Sequence, residues 1–184
     1  MARIPAATRD SIPQDQRATF DEIFQQRGGN FPGPMSIMIN APEVAKRGAH
    51  LSEYLRRGST LSSKIQELSM LTTARELDCQ FIWNAHAAAG RRAGLRNEIV
   101  NNLRDRKELT GLAPDEAAVV NYGREFFRTN RVSQATFNVA TAQFGVRGLT
   151  ELTSLMGYYA LLAFNINAFE VGLPAEITEQ ALPI

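Results

Sequence analysis

The sequence predicts an all-α fold of about eight helices, and three observations support this prediction. No stretch of six or more residues alternates strictly between apolar and polar side chains, as a half-buried strand would. No Asn-Gly or Asp-Gly pair joins two β-branched runs into a hairpin. Helix start and stop signals recur along the chain instead. They predict helices at approximately residues 13–28, 41–57, 63–76, 79–93, 97–103, 114–130, 134–145 and 149–169.

The first two helices are delimited by proline and glycine. Pro13 opens the first helix, because proline is well tolerated in a first turn, and Gly28–Gly29 ends it. The next segment, FPGPMSIMIN, contains two prolines and a glycine, so we interpret it as a loop. Asn40 is then expected to cap the second helix, with Pro42 in its first turn.

Capping residues mark the third and fourth helices. Ser63 and Gln66 have the spacing of a capping box, which predicts that the third helix begins there. Asp78 is a suitable cap for the fourth helix, and Gly94 stops that helix. A short fifth helix follows.

The remaining signals predict three helices and a tail. Pro114 opens the sixth helix, and Ser133 caps the seventh, which ends at Gly145. The eighth helix completes the set. Pro174 and Pro183 then indicate a loose C-terminal tail. No low-complexity linker divides the chain, so we expect a single domain over residues 1–184.

Composition excludes several classes of function. The 20 basic and 19 acidic residues leave a net charge of +1, which argues against nucleic-acid binding driven by electrostatics. The single cysteine excludes an intramolecular disulfide and a cysteine-rich zinc site. With only two histidines, a dedicated metal site is not expected either. We therefore expect no metal, no other cofactor and no nucleic-acid partner.

One uncharged stretch borders on the length of a membrane span. Residues 152–169 carry no charged side chain. They include threonine, serine and asparagine side chains and are flanked by Glu151 and Glu170, which favours a buried or subunit-interface helix over a span. The N-terminal residues MARIPAATRDSIPQDQ contain no apolar segment of the signal-peptide type. We therefore expect a cytoplasmic protein that does not bind membranes.

Two other predicted helices lack charge where a surface helix would carry it. The runs LSMLTTA and CQFIWNAHAAAG, at residues 68–74 and 79–90, contain no charged residue, which indicates buried helices. The polar groups beside or within them are few: Glu67, Cys79, Gln80, Asn84 and His86. Buried polar groups need partners, so this cluster is the best candidate site in the chain.

Helix geometry suggests how three of these groups are arranged. Cys79 and His86 are seven residues apart, so they share a face at a rise of about 10 Å. That gap would accept a water or a small substrate, and Glu67 from the preceding helix could complete a proton relay. A helix N-terminus favours a Cys79 thiolate, whereas burial opposes it, and the sequence leaves this balance open.

Structural explanations also exist for these residues. A lone cysteine is often a small buried hydrophobe, and a lone buried histidine is often a hydrogen-bonded core residue. Trp83 also reads as a core side chain. We expect the pairs Arg56–Arg57 and Arg91–Arg92 to lie on solvent-exposed helix faces. His50 has no acidic neighbour in sequence, so we do not expect it to have a functional role.

The stretch KIQELSMLTTARELDCQFIWNAHAAAGRRAGLRNEI resembles the core of the carboxymuconolactone decarboxylase family, which includes the alkylhydroperoxidase D-like proteins. The match is clearest over residues 62–100. Its marks are Glu67–Leu68, Cys79, Trp83, His86, Gly94–Leu95 and Glu98–Ile99. The resemblance implies an all-helical fold that assembles as a homo-oligomer, a trimer or hexamer. It also implies a site on the matched helix pair, near subunit contacts.

The sequence departs from the peroxidase branch of that family at one position. That branch resembles this chain in its upstream glutamate, first cysteine and histidine, which correspond to Glu67, Cys79 and His86. The position of its second cysteine is occupied by Ile82. A dithiol cycle within one chain is therefore excluded, although a single-thiol cycle at Cys79 with an external reductant stays open.

The resemblance to the decarboxylase branch implies acid–base chemistry on an unsaturated carboxylated lactone or a similar small molecule. His86 would donate the proton, because the unperturbed pKa of histidine lies nearest the working pH, and Glu67 would orient it. Asn84 would donate to a substrate oxygen, and Trp83 and Ile82 would line the substrate site. A non-catalytic oligomeric binding module is a further alternative.

Overall fold

The structure is a computed structural model that describes residues 2–174, 176–177 and 179–184. It contains eight α-helices in this part of the chain and no strand. The helices are α1 (Arg17–Gln26), α2 (Met35–Met38), α3 (Pro42–Glu53), α4 (Ser63–Glu76), α5 (Gln80–Arg92), α6 (Asn97–Arg104), α7 (Pro114–Thr129) and α8 (Gln134–Ala168). The predicted all-α fold is therefore confirmed.

Several helix boundaries differ from the prediction. Short 3₁₀ turns precede α1, and α2 forms inside the segment that was predicted to be a loop. A π-helical turn, Tyr54–Gly58, extends α3. The predicted seventh and eighth helices follow one another in α8, where Gly145 interrupts the helix with φ 65° and ψ 175°. A left-handed φ of this kind costs glycine little, so the chain changes direction there.

Three predicted caps are wrong, and each has a physical reason. Asn40 instead donates from Nδ2 to the carbonyl of Ile37, at 3.1 Å, at the end of α2. Helix α4 begins at Ser63 as predicted, but its N-cap is Ser62, whose hydroxyl accepts the Ile65 amide. Asp78 has a left-handed φ of 48° and faces Arg75, which leaves Cys79 as the N-cap of α5.

Helix α4 lies at the centre of the fold and packs against α5, α7 and α8. Every residue from Ile65 to Arg75 is buried, which fits the uncharged run in the sequence. Its hydroxyl groups need no water, because Ser69, Thr72 and Thr73 each donate to a carbonyl three or four residues earlier, at 2.7–2.9 Å. The central helix can therefore be surrounded by apolar neighbours.

Helix α5 lies close to α4 because Gly90 has no side chain. A Cβ atom at Gly90 would come within 2.9 Å of Leu95 and 3.1 Å of Leu71. It would also lie 3.7 Å from the Cβ atom of Glu67, one turn along α5 from His86. The small residues of α5 thus allow α4 and α5 to bring Glu67 and His86 together.

The C-terminal tail is docked rather than loose where the structure describes it. Gln80 and Leu182 exchange two hydrogen bonds, at 2.6 and 2.9 Å. Glu179 forms an ion pair of 2.7 Å with Arg91. Arg75 donates to the carbonyl of Pro183 at 3.0 Å. These contacts hold the tail against α5 and the end of α4.

The described helices include none with a segment long and apolar enough to cross a bilayer. The cytoplasmic location and the single-domain organisation stay predictions from the sequence.

Candidate active site

The candidate site is built around a buried carboxylate and imidazole. Glu67 projects from α4 and His86 from α5, and the distance from Oε2 of Glu67 to Nδ1 of His86 is 2.8 Å. Their side chains are only 8% and 13% exposed. An ionised carboxylate can only accept a hydrogen bond, so we assign the hydrogen to Nδ1. Nε2 has no hydrogen-bond partner among the described residues, which leaves it to exchange a proton with a bound molecule.

A guanidinium and a phenol complete the cluster. Arg56, in the π-helical turn, donates to Oε1 of Glu67 at 3.4 Å and to the Tyr159 hydroxyl at 2.8 Å. The Tyr159 ring meets the His86 ring edge to face, with centroids 5.2 Å apart. Burial raises the pKa of Tyr159 to about 12, although Arg56 lowers it in part. Tyr159 therefore remains a neutral phenol that accepts from Arg56.

Arg56 and Tyr159 were not predicted to belong to the site. The Arg56–Arg57 pair read as a solvated face, and Tyr159 lies in a helix that was singled out only for its lack of charge. One signal was present in the sequence: a phenol in an uncharged, buried helix needs a hydrogen-bond partner. The sequence did not indicate which residue that partner would be.

Cys79 lies in the hydrophobic core and is completely buried. Burial raises the pKa of its thiol, whereas the backbone amides of Ile82 and Phe81 at the start of α5 lower it. Burial has the larger effect, so the balance that the sequence left open favours the neutral thiol. Within the described residues, no hydrogen bond connects Cys79 to Glu67 or His86.

The three residues predicted to bind substrate are occupied by other contacts. Trp83 and Ile82 are core side chains, 1% and 3% exposed. Asn84 is partly buried, and its Oδ1 accepts the Glu179 amide of the tail at 3.3 Å. Substrate contact at any of the three would need movement of the core or the tail, and their role in binding stays a prediction.

Glu67 and His86 form a carboxylate–imidazole pair, and no third metal-ligating side chain of the described residues joins them. In the part of the chain that the structure describes, no three His, Cys, Asp or Glu side chains are grouped closely enough to hold a metal ion. The third charged group of the cluster is the Arg56 guanidinium, which would repel a cation. The arrangement suits proton transfer and the binding of negative charge.

A second buried glutamate, Glu151 of α8, accepts more hydrogen bonds than Glu67 does. Its carboxylate accepts from the Tyr54 hydroxyl at 2.7 Å, the Thr60 amide at 2.8 Å, the Thr60 hydroxyl at 2.6 Å and Nε of Arg147 at 3.0 Å. Burial raises the pKa of Glu151, but these hydrogen bonds outweigh it and lower the pKa to about 2. A carboxylate held in this way has no capacity left for a substrate.

A known protein family matches this chain in sequence over one region. Residues 42–125 match the model of the carboxymuconolactone decarboxylase family, and the matched region contains Arg56, Glu67, Cys79 and His86. No curated protein matches the chain in sequence.

Solved structures share the fold at low sequence identity. An uncharacterized peroxidase-related protein with an alkylhydroperoxidase AhpD core, from Ralstonia eutropha JMP134, is 14% identical with a TM-score of 0.72, over 96% of this chain and 94% of that chain. A peroxidase-related protein from Silicibacter sp. TM1040 is 17% identical with a TM-score of 0.71, over 96% of this chain and 95% of that chain.

The debrominase Bmp8 also has this fold, seen in a cysteine-to-alanine variant in complex with 2,3,4-tribromopyrrole. It is 11% identical with a TM-score of 0.66, over 93% of this chain and 90% of that chain. At these identities the solved structures establish the fold and leave the reaction open. Residues 42–125 therefore resemble the carboxymuconolactone decarboxylase family, and the described chain has the fold of the alkylhydroperoxidase D-like proteins.

Proposed function

We propose that this protein is a small-molecule enzyme of the acid–base type, which decarboxylates an unsaturated carboxylated lactone or a similar compound. One observation carries the proposal: Glu67 and His86 form a buried pair at 2.8 Å, with Nε2 of the imidazole unpaired among the described residues. A carboxylate that fixes one nitrogen of an imidazole leaves the other to act as general acid or base.

The proposed reaction uses that pair for proton delivery. The bond between the carboxylate carbon of the substrate and the lactone ring breaks, and CO₂ leaves. The electron pair of that bond moves through the conjugated system to the lactone carbonyl, which gives a dienolate. Protonated His86 then donates its Nε2 proton to carbon and regains a proton from water, while Glu67 stabilises the imidazolium.

Arg56 supplies the positive charge that such a substrate requires. Its guanidinium is 38% exposed and already lies against Glu67 and Tyr159. Because the bond from Arg56 to Glu67 is long, at 3.4 Å, the guanidinium can turn toward a substrate oxygen at small cost. Arg56 is therefore the residue that we assign to stabilise the dienolate or the substrate carboxylate.

The test is release of CO₂ from a panel of carboxylated unsaturated lactones. We expect His86→Ala and Glu67→Gln to lose about 10²- to 10⁴-fold in kcat/KM, the usual contribution of a positioned acid or base. Glu98→Gln, a change of the same kind at an exposed carboxylate of α6, is the matched control and should keep wild-type turnover. Cys79→Ser should stay within about twofold.

Two outcomes would overturn this proposal. One is the absence of CO₂ release from every member of the panel by the wild-type protein. The other is normal turnover by His86→Ala, with the fold verified by circular dichroism.

A thiol-dependent peroxidase is the alternative, and one observation favours it: Cys79 lies at the N-terminus of α5, where two backbone amides lower the pKa of its thiol. In that cycle the thiolate attacks the O–O bond of a peroxide and is oxidised to a sulfenic acid, with release of the alcohol. An external dithiol then reduces the sulfenic acid to the thiol with release of water, and its own two thiols form a disulfide. The complete burial of Cys79 opposes this function, because burial outweighs the amides.

Alkylation by iodoacetamide separates the two functions. With a buried neutral thiol, we expect the native protein to react at least about 100-fold more slowly than the urea-unfolded chain. Fast alkylation of the native protein, with an apparent pKa below the ordinary value of about 8.5, would favour the peroxidase. Cys79→Ser would then abolish peroxide reduction by an external dithiol.

We also propose that the enzyme works as a homo-oligomer, a trimer or hexamer, through the outer face of α8. Thr153, Gly157, Leu161 and Phe164 are exposed at helical spacing, and no charged residue occurs between Leu152 and Phe169. Phe164 alone is 69% exposed, which is unusual for a large apolar side chain unless it meets a partner. Light scattering should show an oligomer that dissociates in Phe164→Asp, and a wild-type monomer would contradict the proposal.

A further inference from the structure

A cleft that shares only Arg56 with the groups assigned to the proposed reaction lies between α1, α3, the π-helical turn and Tyr158 of α8. Its volume is about 640 Å³, enough for a small molecule. His86 and Glu67 do not line it. Its lining includes six side chains that carry or can carry a charge: Arg27, Lys46, His50, Glu53, Arg56 and Arg57. Four permanent cations therefore surround the cleft with one carboxylate among them.

The positive charge of the cleft is only partly neutralised. Lys46 pairs with Glu22 at 2.7 Å, Arg56 with Glu67 at 3.4 Å, and Arg57 with Glu53 at 3.5 Å. No carboxylate of the described residues lies within 4 Å of Arg27. The Arg57–Glu53 pair is also highly exposed, so water screens it. The cleft therefore keeps an excess of positive charge.

The wall of the cleft offers hydrogen-bonding groups beside those cations. Tyr158 lines it, and the Tyr158 hydroxyl is close enough to Ser52 and Arg27 for both to lower the pKa of that phenol, which burial raises. Arg27, the C-cap residue of α1, and Arg56, in the π-helical turn, both line this cleft. Two guanidinium groups and a phenol in the lining of one cleft make a suitable environment for an oxyanion.

Arg56 also connects the cleft to the buried glutamate and histidine. It lines the cleft, yet its guanidinium contacts Glu67 and Tyr159. An anion in the cleft would compete with Glu67 for this guanidinium. Because Glu67 is hydrogen-bonded to His86, this competition would change the environment of the His86 ring.

We propose that this cleft is a binding site for a small molecule that carries a carboxylate or phosphate group, with Arg27 and Arg56 as the residues that bind the anion. The site is separate from the position of His86, and ligand binding to it requires no turnover. It shares Arg56 with the proposed decarboxylation, but anion binding is measured without turnover, so failure of one proposal can be distinguished from failure of the other.

Calorimetric titration of the wild-type protein at about 0.15 M ionic strength tests the site, because screening suppresses binding to loose surface charge. Succinate and inorganic phosphate are the two probes, and choline is the cationic control. We expect a Kd of about 1 mM or tighter for at least one anion and no binding of choline. A preference for succinate would indicate a carboxylate ligand, and a preference for phosphate a phosphorylated one. The absence of saturable binding by either anion would overturn the proposal.

A pair of arginine variants tests the assignment of residues. Arg27 is exposed and has no hydrogen bond to a described side chain, so Arg27→Gln should fold normally. We expect Arg27→Gln to weaken binding at least about tenfold. Arg47→Gln removes the same charge from the same region, but Arg47 is paired with Glu43 and does not line the cleft. It should stay within about twofold, and an equal loss in both variants would show charge attraction without a site.

NMR resonances of the two histidine rings test whether Arg56 binds the anion. His50 lines the cleft, and His86 lies behind Arg56. In NMR spectra we expect the anion to shift the ring resonances of both histidines in the wild type. In Arg56→Gln the His86 shift should be lost and the affinity reduced. A saturable shift of His50 alone in the wild type would overturn the role of Arg56 as an anion ligand.

Discussion

Two buried glutamates flank the π-helical turn Tyr54–Gly58, and this turn provides a partner to each of them. Tyr54 donates to Glu151, and Arg56 donates to Glu67. Both clusters also reach α8, the first through Glu151 itself and the second through Tyr159. The two carboxylates are equally buried, at 4% and 6% exposure, so burial does not distinguish them.

The hydrogen-bond partners of the two carboxylates do distinguish them. Glu151 accepts four hydrogen bonds from groups that do not titrate near neutral pH. Glu67 accepts one long hydrogen bond from Arg56, and its other oxygen meets His86, which can gain or lose a proton. A fully bound carboxylate stabilises the fold, whereas one that faces a titratable partner can take part in chemistry.

The largest expected effect is on stability, from removal of the Glu151 carboxylate. We expect Glu151→Ala to lower the free energy of unfolding at neutral pH by about 4 kcal/mol, since it removes four hydrogen bonds at about 1 kcal/mol each. Glu67→Ala is the matched variant and should cost about 2 kcal/mol, because only two contacts are lost. Urea unfolding measures both. Equal losses would show that the number of hydrogen bonds does not separate the two carboxylates.

Acid should remove the contribution of Glu151 within a defined pH range. Its pKa is about 2 in the folded protein, against the ordinary value of 4.5. A folded pKa below the unfolded one stabilises the protein fully above the unfolded value, and this stabilisation disappears as the pH falls toward the folded value. The difference in pKa corresponds to about 3 kcal/mol. We expect the stability gap between wild type and Glu151→Gln to shrink by that amount between about pH 5 and about pH 2.

Urea unfolding of both proteins across that range measures the change. A gap that stayed constant with pH would mean that Glu151 keeps an ordinary pKa in the folded protein, and its cluster would then resemble an exposed surface network.

The sequence predicted the Glu67–His86 pair better than the rest of the site, for a physical reason. The two residues lie on consecutive uncharged helices, and adjacent helices of that kind pack together. The predicted alignment of Cys79 with His86 assumed that both lie in one helix. Cys79 is instead the extended N-cap residue, with φ −91° and ψ 94°, so helical spacing does not apply to it.

The missing members of the site depend on contacts that are distant in sequence. Arg56 meets Tyr159 across 103 positions, and the Glu151 cluster joins Tyr54 across 97. Local patterns describe only neighbours along one element, so Arg56 looked like any solvated arginine. Arg56 reaches Glu67 and Tyr159 from the π-helical turn Tyr54–Gly58, and no pattern in the sequence predicted that turn.

The smallest expected effect on stability comes from removal of the hydroxyl group of Tyr54 or Tyr159. Each of these tyrosines belongs to one of the two glutamate clusters. The Tyr54 hydroxyl donates to the Glu151 carboxylate at 2.7 Å, so Tyr54→Phe should cost about 1 kcal/mol, the value used above for each hydrogen bond to Glu151. The Tyr159 hydroxyl accepts from Arg56, which is partly exposed and can bind water instead. We therefore expect Tyr159→Phe to cost less than about 0.5 kcal/mol. Thermal unfolding should show Tm lower by about 2–4 °C for Tyr54→Phe and by about 2 °C or less for Tyr159→Phe. A loss in Tyr159→Phe as large as in Tyr54→Phe would mean that Arg56 is fixed in place like the groups around Glu151, and it could not turn from Glu67 to an anion.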